Sequence, residues 1–534
     1  MMLESGQWMV PHDESGAKVG RPIGILWLQG LATTYLGLGT LDRIWTYRLP
    51  SLIGATLAIL LLFFGTRGII GNQAAFCASV LMAHSLLLAV QSRLALPQAS
   101  VLAAAILAQT SLLRLYHGHG CLDPASRKRT ALAFWCALGV GVVLNSLIVP
   151  ILALLTVAGL FVQDRSLKRL GGANHMLGLF VGLAIASVWF ISLWLSIADP
   201  TPDPILSLIE WFSLLADSQA MNHRAFPGSF LLVTWIGILP GLVLASAACS
   251  TIWQGRHVPA GRFLLAWLVP YLVTFEIVSH KPPLYMVQYV LPVVAIGMAL
   301  AVTQNPLTGA PRAMPFPLLL RALWIALGLG LAATPLALHI IGGEPVSFVL
   351  VIGAVAVAAF FAATAISWSH CSALASTSFS LAGAAVFYWL FTALILPTSS
   401  GIWPSTRLAE LREALRTCYP EAPLIAGYRE PSAEFLIGIE TELDSGSNAR
   451  AHFETKPRSL AFIDRSAIKQ FQTSLHALNP ADAPVPVACV SGRNPFTSPR
   501  TLHFTVYAMP PLPTDPACSP PPRFRCPEPS ADKN

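Results

Sequence analysis

Residues 51–70, SLIGATLAILLLFFGTRGII, and 73–92, QAAFCASVLMAHSLLLAVQS, decide the fold class. Each matches the roughly 20 apolar residues that a helix needs to cross a bilayer, and Arg67 is the only Lys, Arg, Asp or Glu in either. Working outward, the same reading marks 97–115, 131–143, 145–162, 173–198, 229–253, 262–278, 284–303, 316–342, 345–369 and 376–396, about twelve crossings in all. The run 131–162 is continuous, and only Asn145-Ser146 and Pro150 suggest a tight hairpin inside it. Composition agrees: 54% hydrophobic and 11% charged residues, with a mean hydropathy of +0.62, are far from a soluble globular average. The chain reads as an α-helical polytopic membrane protein.

Lys and Arg stay on the cytoplasmic side of short loops, so their positions orient the chain. Arg114, Arg127, Lys128 and Arg129 flank one loop, Arg165, Lys168 and Arg169 fill another, Arg256 and Arg262 mark a third, and Arg312 and Arg321 lie near a fourth. With all four loops cytoplasmic, 199–228, 279–283 and everything after about 397 lie outside. The net charge of +7 is thereby explained by topology, with no nucleic-acid surface implied. Residues 1–50 also fall outside, although no span precedes them. Two repairs are open: a helix upstream of Met1, or 22–39 as a span, which Gly24, Gln29, Gly30, Thr33, Thr34, Gly37 and Gly39 make a weak one.

From about 397 charges become regular and proline common, which predicts a small extracytoplasmic α/β domain over 397–508 and a proline-rich tail over 509–534. Helices are expected at 405–417 and 465–477, and strands at 423–428, 434–439, 459–463, 485–491 and 501–508; the tail is expected to be extended or disordered. Of nine cysteines, Cys418, Cys489, Cys518 and Cys526 fall in this outer part, where an oxidising compartment allows up to two disulfides of unassigned pairing. No His/Cys spacing suits a structural zinc.

Several segments, in order along the chain, resemble those of a known family. Met2–Gln29, MLESGQWMVPHDESGAKVGRPIGILWLQ, resembles the first large outer loop of the GT-C membrane glycosyltransferases, in the branch of aminoarabinose transferases and bacterial relatives of protein O-mannosyltransferases. Tyr47-Arg48-Leu49-Pro50-Ser51 is similar to that family's lead-in to its second membrane helix, and Ser92-Arg93-Leu94-Ala95 to its short outer turn. Relatives often continue that turn into a carboxylate, where this chain has Pro97-Gln98, and Leu144-Asn145-Ser146 stands where relatives carry threonine, lysine and glycine. Asn222-His223-Arg224-Ala225-Phe226-Pro227-Gly228, Ser279-His280-Lys281-Pro282-Pro283-Leu284-Tyr285 and Gly427-Tyr428-Arg429-Glu430-Pro431-Ser432 complete the series. The resemblance implies a GT-C-like fold in which residues 1–50 form an outer loop and juxtamembrane helix ahead of a membrane domain over 51–396. It also implies that the chain starts late, since the family's catalytic acid follows a first membrane helix that would lie upstream.

The implied reaction is displacement of a polyprenyl phosphate from the anomeric carbon of a sugar by an acceptor in the cell envelope, at the outer face of a bacterial inner membrane with the C-terminal domain periplasmic. Such chemistry needs a carboxylate to orient or deprotonate the acceptor and cations to hold the phosphate as charge develops. Arg21 aligns with a lysine-proline step implied in phosphate binding; its alternative is an interfacial snorkelling role. Lys281 either binds the lipid phosphate or anchors its helix among headgroups, and Arg93 likewise faces phosphate or headgroups. His223 and Tyr285 are further substrate-binding candidates. The carboxylate is unassigned: Asp13 and Glu14 fall after the expected position, Asp42, Asp199, Asp203, Glu210 and Asp217 sit in no motif, and Glu276 is an ionisable residue inside a span, where function is the default reading. No cofactor is expected, and a divalent metal is not indicated. The alternatives are an inactive relative that binds polyprenyl lipid, favoured by the changed polar positions, and a lipid-linked sugar transporter, against which the sequence shows no repeat or paired broken-helix pattern.

Overall fold

The computed structural model describes residues 6, 8, 9, 23–37, 43–120, 122–145, 147–171, 175–197, 226–277, 284–303, 318–342, 346–369, 373–398, 403–475 apart from 429 and 439, 483–494, 498–513 and 515–526. The chain divides into two compact units, one holding residues 1–337 and 346–389, the other 338–345 and 390–534.

The first unit is helical. Its elements are α1 (Gly24–Leu36), α2 (Ile44–Ile70), α3 (Asn72–Ala83), α4 (Leu86–Gln91), α5 (Gln98–His117), α6 (Pro124–Asn145), α7 (Ile148–Asp164), α8 (His175–Ile197), α9 (Ser229–Gly237), α10 (Leu242–Gln254), α11 (Pro259–Ile277), α12 (Leu291–Val302), α13 (Leu318–Gly342), α14 (Phe348–Ser369) and α15 (Ala373–Trp389). Among the described residues six helices are long and apolar enough to cross a membrane, or seven if the bent pair α9 and α10 counts as one span. The protein is a multi-pass membrane protein. Apolar residues such as Leu57, Leu60, Phe64 and Phe180 lie on its surface, as lipid-facing side chains do.

Helices meet where side chains are small, because in lipid close packing rather than water exclusion drives association. A Cβ placed on Gly54 would lie 2.5 Å from the Ser100 backbone, and one on Gly65 would lie 2.6 Å from the Thr110 side chain, so α2 and α5 approach as closely as glycine allows. Ser100 Oγ donates to the Pro50 carbonyl (2.9 Å), and Arg114 donates to the Phe64 and Gly65 carbonyls at the end of α2. On the side read as cytoplasmic, Asp164 of α7 accepts from Tyr116 of α5 at 2.5 Å and from Arg262 of α11 at 2.6 Å.

The apolar runs conceal breaks. The stretch 73–92 divides at His84-Ser85 into α3 and α4. The stretch 229–253, read as one span, is bent by 115° between α9 and α10, and 284–303 opens with a 3₁₀ turn, Leu284–Tyr289, before α12. The expected hairpin inside 131–162 falls between Asn145 and Ile148.

The second unit carries a five-stranded sheet in the order β2-β1-β3-β5-β4, built from β1 (Leu424–Ala426), β2 (Glu442–Asp444), β3 (Leu460–Asp464), β4 (Val485–Asn494) and β5 (Ser498–Ala508). Strands β2, β1 and β3 are parallel; β5 runs antiparallel to β3 and β4. Alternate residues feed two cores. Ile425, Leu460, Phe462, Phe504 and Val506 pack against Leu408 and Leu411 of α16 (Pro404–Ala414) and Ala433 of α17 (Pro431–Ile437). Leu424, Ala426, Ala461 and Ile463 pack against Ala449 and Phe453 of α18 (Ala449–Thr455), and against Ala467 and Phe471 at the start of α19 (Ile468–Leu475) and within it. The unit is therefore a three-layer α/β/α arrangement.

Two readings of the sequence are corrected here. Within the stretch 434–439, residues 434–437 are helical and not a strand: proline stands in the first turn of α17, and Gly438, with φ of 136°, follows its last residue. The proline-rich tail, expected to be extended or disordered, is pinned as far as Cys526 by two disulfides, Cys418–Cys518 and Cys489–Cys526, and Phe524 is buried in the core.

Candidate functional site

A break in a membrane helix frees backbone groups that lipid cannot satisfy, so such breaks persist only where protein or a polar cavity serves them. In the first unit the breaks converge. Helix α4 packs against α2, α3, α5, α9 and the 284–289 turn, and that turn also packs against α5, α9 and α12. The Leu239 carbonyl, freed between α9 and α10, accepts from the Leu86 amide (2.8 Å) and from Tyr388 Oη (3.2 Å). Tyr388 Oη also reaches the His84 carbonyl (2.7 Å). One hydroxyl thus serves two interruptions. The 284–289 turn is held by Trp267 Nε1, which donates to the Tyr289 carbonyl (2.9 Å), and by Tyr271 Oη, which donates to the Met286 carbonyl (3.1 Å).

The turn after α4 is fixed from two helices. Gln29 Nε2 of α1 donates to the Ala95 carbonyl (3.0 Å), and Ser51 Oγ of α2 to the Leu96 carbonyl (2.7 Å). Arg93 projects from this turn, exposed, with Nη1 on the Ala89 carbonyl (2.7 Å). Beneath it lie buried amides. Gln288 Nε2 donates to Gln98 Oε1 (3.3 Å), while Gln288 Oε1, both amide atoms of Gln91 and Nε2 of His84 are buried with no hydrogen-bond partner. Buried polar atoms without partners are rare in folded proteins.

Of the residues singled out in the sequence, Arg93, Tyr285 and Glu276 are described, and their elements meet around these breaks. Tyr285 is half-buried on the 3₁₀ turn. Glu276 accepts from the backbone amides of Gly228 and, at 3.2 Å, Phe230. Its carboxylate thus serves the N-terminus of α9, where a helix leaves donors unsatisfied. Asp13, Glu14, Arg21, His223 and Lys281 lie outside the described residues. The sequence reading passed over His84, Gln91, Gln288 and Tyr388; for the first three the available signal was a polar side chain inside an apolar run, and for Tyr388 there was none. Among the described residues no three His, Cys, Asp or Glu side chains group as metal ligands.

The second unit contains a constellation with the look of a hydrolytic triad. His452 Nδ1 lies 2.6 Å from Glu442 Oε2, and its Nε2 lies 2.9 Å from Ser459 Oγ. A nucleophile must meet its substrate, yet Ser459 is fully buried and donates to the Lys456 carbonyl (2.7 Å). The group is a brace. Burial works to raise the Glu442 carboxyl, but hydrogen bonds from Lys456 and His452 outweigh it and hold the group below its ordinary range.

No protein-family model matches the chain. It is 28% identical over 306 residues to an undecaprenyl phosphate-α-4-amino-4-deoxy-L-arabinose arabinosyl transferase of Sodalis glossinidius, covering 55% of this chain and 50% of that protein. A protein of the same description from Yersinia enterocolitica is 24% identical over 312 residues, 56% of this chain and 52% of its own length. The matches thus span about half the length of these curated relatives. The crystal structure of ArnT from Cupriavidus metallidurans bound to undecaprenyl phosphate superposes with a TM-score of 0.68 at 17% identity, over 94% of this chain and 91% of that one. Its apo form gives 0.66 at 18% identity, over 95% and 90%. The expected resemblance is present in both sequence and structure: the chain has the GT-C-like fold of a membrane glycosyltransferase and is similar to the aminoarabinose transferases.

Proposed function

We propose that this protein transfers a sugar from a polyprenyl-phosphate donor to a lipid, glycan or protein acceptor at the outer face of a bacterial inner membrane. The observation that carries the reading is the likeness in fold, over nearly the whole chain, to a structure bound to undecaprenyl phosphate, joined to the sequence similarity to aminoarabinose transferases. In this reading Arg93, Arg21 and Lys281 hold the phosphate, arginine as a bidentate partner, while His223 and Tyr285 help to position donor or acceptor. The two disulfides support an oxidising, extracytoplasmic setting for the second unit.

One observation favours the rival reading of a lipid-binding protein without transfer. At Pro97-Gln98, which the resemblance places where the turn of many relatives continues into a carboxylate, the chain has no acid, and the Gln98 amide is paired with Gln288. A single experiment separates the two. Full-length protein in nanodiscs is incubated with undecaprenyl-phosphate-linked sugars and an envelope lipid extract, and free undecaprenyl phosphate is followed by mass spectrometry. Acceptor-dependent release is expected for at least one sugar, falling about 100-fold or more in Arg93→Ala. Saturable donor binding with no release across the panel establishes the rival.

A further inference from the structure

The parallel part of the sheet in the second unit creates a place for a ligand, lined by none of the residues assigned to transfer above. Strands β1 and β3 are neighbours, yet the helices that follow them leave toward opposite faces: α17 joins the core on one side and α19 the core on the other. In open α/β sheets this divergence opens a crevice beyond the carboxyl ends of the strands, and ligands bind there. A cavity of about 400 Å³ lies at that point, lined by Gly427, Asp444, Ser445, Ser466, Ala467 and Gln470. Three loops contribute, one from the carboxyl end of each parallel strand.

The floor is kept bare by Gly427. Its φ is +83°, and a Cβ there would lie 2.9 Å from Ser466 Oγ and 3.1 Å from the Ala467 methyl. The walls are stiff. Asp444 accepts from the amides of Gly446 (3.1 Å) and Asn448 (2.9 Å), and so sets the loop that carries Ser445. Asp464 accepts from the amides of Ser466 (3.0 Å) and His503 (3.2 Å), fixing the second loop to β5.

We propose that this crevice binds a neutral, hydroxyl-rich sugar ring. The lining sets two hydroxyls, a carboxamide and a carboxylate around an apolar floor of Gly427 and Ala467. Such groups donate to and accept from vicinal hydroxyls, and the volume falls within the range of small-ligand sites. None of the lining side chains is cationic, and the Asp444 carboxylate repels anions, so a phosphate or an acidic sugar is disfavoured.

The test uses full-length protein in nanodiscs prepared without glycoside detergents, whose headgroups would compete. Saturation-transfer NMR is recorded with D-glucose, D-mannose and L-arabinose, alongside D-glucuronate and inorganic phosphate. At least one neutral sugar is expected to bind, and Gln470→Trp, which fills the crevice from the exposed face of α19, should weaken it at least about tenfold. Gln470→Asn should bind within about threefold of the parent, and both variants should melt with the parent protein. Absence of binding by all three neutral sugars, binding unchanged in Gln470→Trp, or binding of glucuronate or phosphate in their place would overturn the proposal. Occupancy of the crevice does not require transfer. A protein that binds sugar here yet releases no undecaprenyl phosphate supports this site while removing the transferase reading.

Discussion

Tyr388 shows what a single side chain contributes in a lipid-exposed fold. Its hydroxyl donates toward two carbonyls, those of His84 and Leu239, that helix breaks have stripped of their normal partners. Replacing it with Phe removes almost no apolar surface but leaves a carbonyl unserved, which costs about 1–3 kcal/mol. Tyr388→Phe should therefore lower the melting temperature of the detergent-solubilised protein by several degrees, while Phe387→Leu, beside it, serves as a control for ordinary packing change. An unchanged melting temperature in Tyr388→Phe would show that the breaks are stabilised in some other way. Tyr388 was illegible in the sequence because an aromatic residue in an apolar run reads as packing. Gln91 and Gln288 were legible as polar anomalies, but only the structure shows that their amides are buried and unpartnered. Arg93 was singled out in the sequence because its turn resembles a known one, and Glu276 because a carboxylate within a span demands an explanation.

Among the elements, those whose pattern follows one solvent rule were readable and those ended by local chemistry were not. The long helices α2, α5, α13 and α14 follow from apolar length alone. The divisions at His84-Ser85 and between α9 and α10 are held by tertiary partners more than a hundred residues away, such as the Leu86 amide on the Leu239 carbonyl. Strand β2 has three residues, too few for alternation to register, and α17 was mistaken for a strand because its apolar run is as short as one. Strand β2 and helix α18 are joined by Glu442, His452 and Lys456, with Lys456 Nζ 2.7 Å from Glu442 Oε1. Hydrogen bonds from Lys456 and His452 outweigh the effect of burial and hold the Glu442 carboxyl below the ordinary glutamate value in the folded protein. Its contribution is thus complete above that value and is lost as pH falls through the lower folded one. Amide exchange over 442–459, corrected for its intrinsic pH dependence, should speed up below about pH 4. Glu442→Gln should raise exchange at neutral pH by an amount corresponding to about 1 kcal/mol or less, since the pair is half exposed, and should flatten the acid response.

On the scale of the whole molecule the two units use different means of stability. The first has lipid as its solvent and relies on close helix contacts such as Gly54 against Ser100. The second is a small α/β unit whose last segment is bolted on by two cross-links, one of them spanning 100 residues of sequence. Chain-entropy estimates give about 4–5 kcal/mol for a loop of that length. Iodoacetamide should leave Cys418, Cys489, Cys518 and Cys526 unlabelled until a reductant is added, and peptide mapping should recover Cys418 with Cys518 and Cys489 with Cys526. Labelling of these four before reduction would sink the assignment. Composition pointed to a change near 397, and the two compact units of the structure part after Trp389 with 338–345 joined to the second; the pairing of cysteines could not be read at all, because spacing does not encode which chain ends a fold brings together.

The hydroxyl that bridges the two helix breaks also bears on how the protein is made. Tyr388 lies 304 residues beyond His84 and 149 beyond Leu239, so both interruptions leave the ribosome long before their shared donor. Until the segment carrying Tyr388 arrives, the His84 carbonyl lacks this donor and the Leu239 carbonyl has the Leu86 amide alone, while lipid offers neither of them a hydrogen bond. The hydrogen bonding at these two breaks is therefore completed only when α15, the last helix of the first unit, is in place.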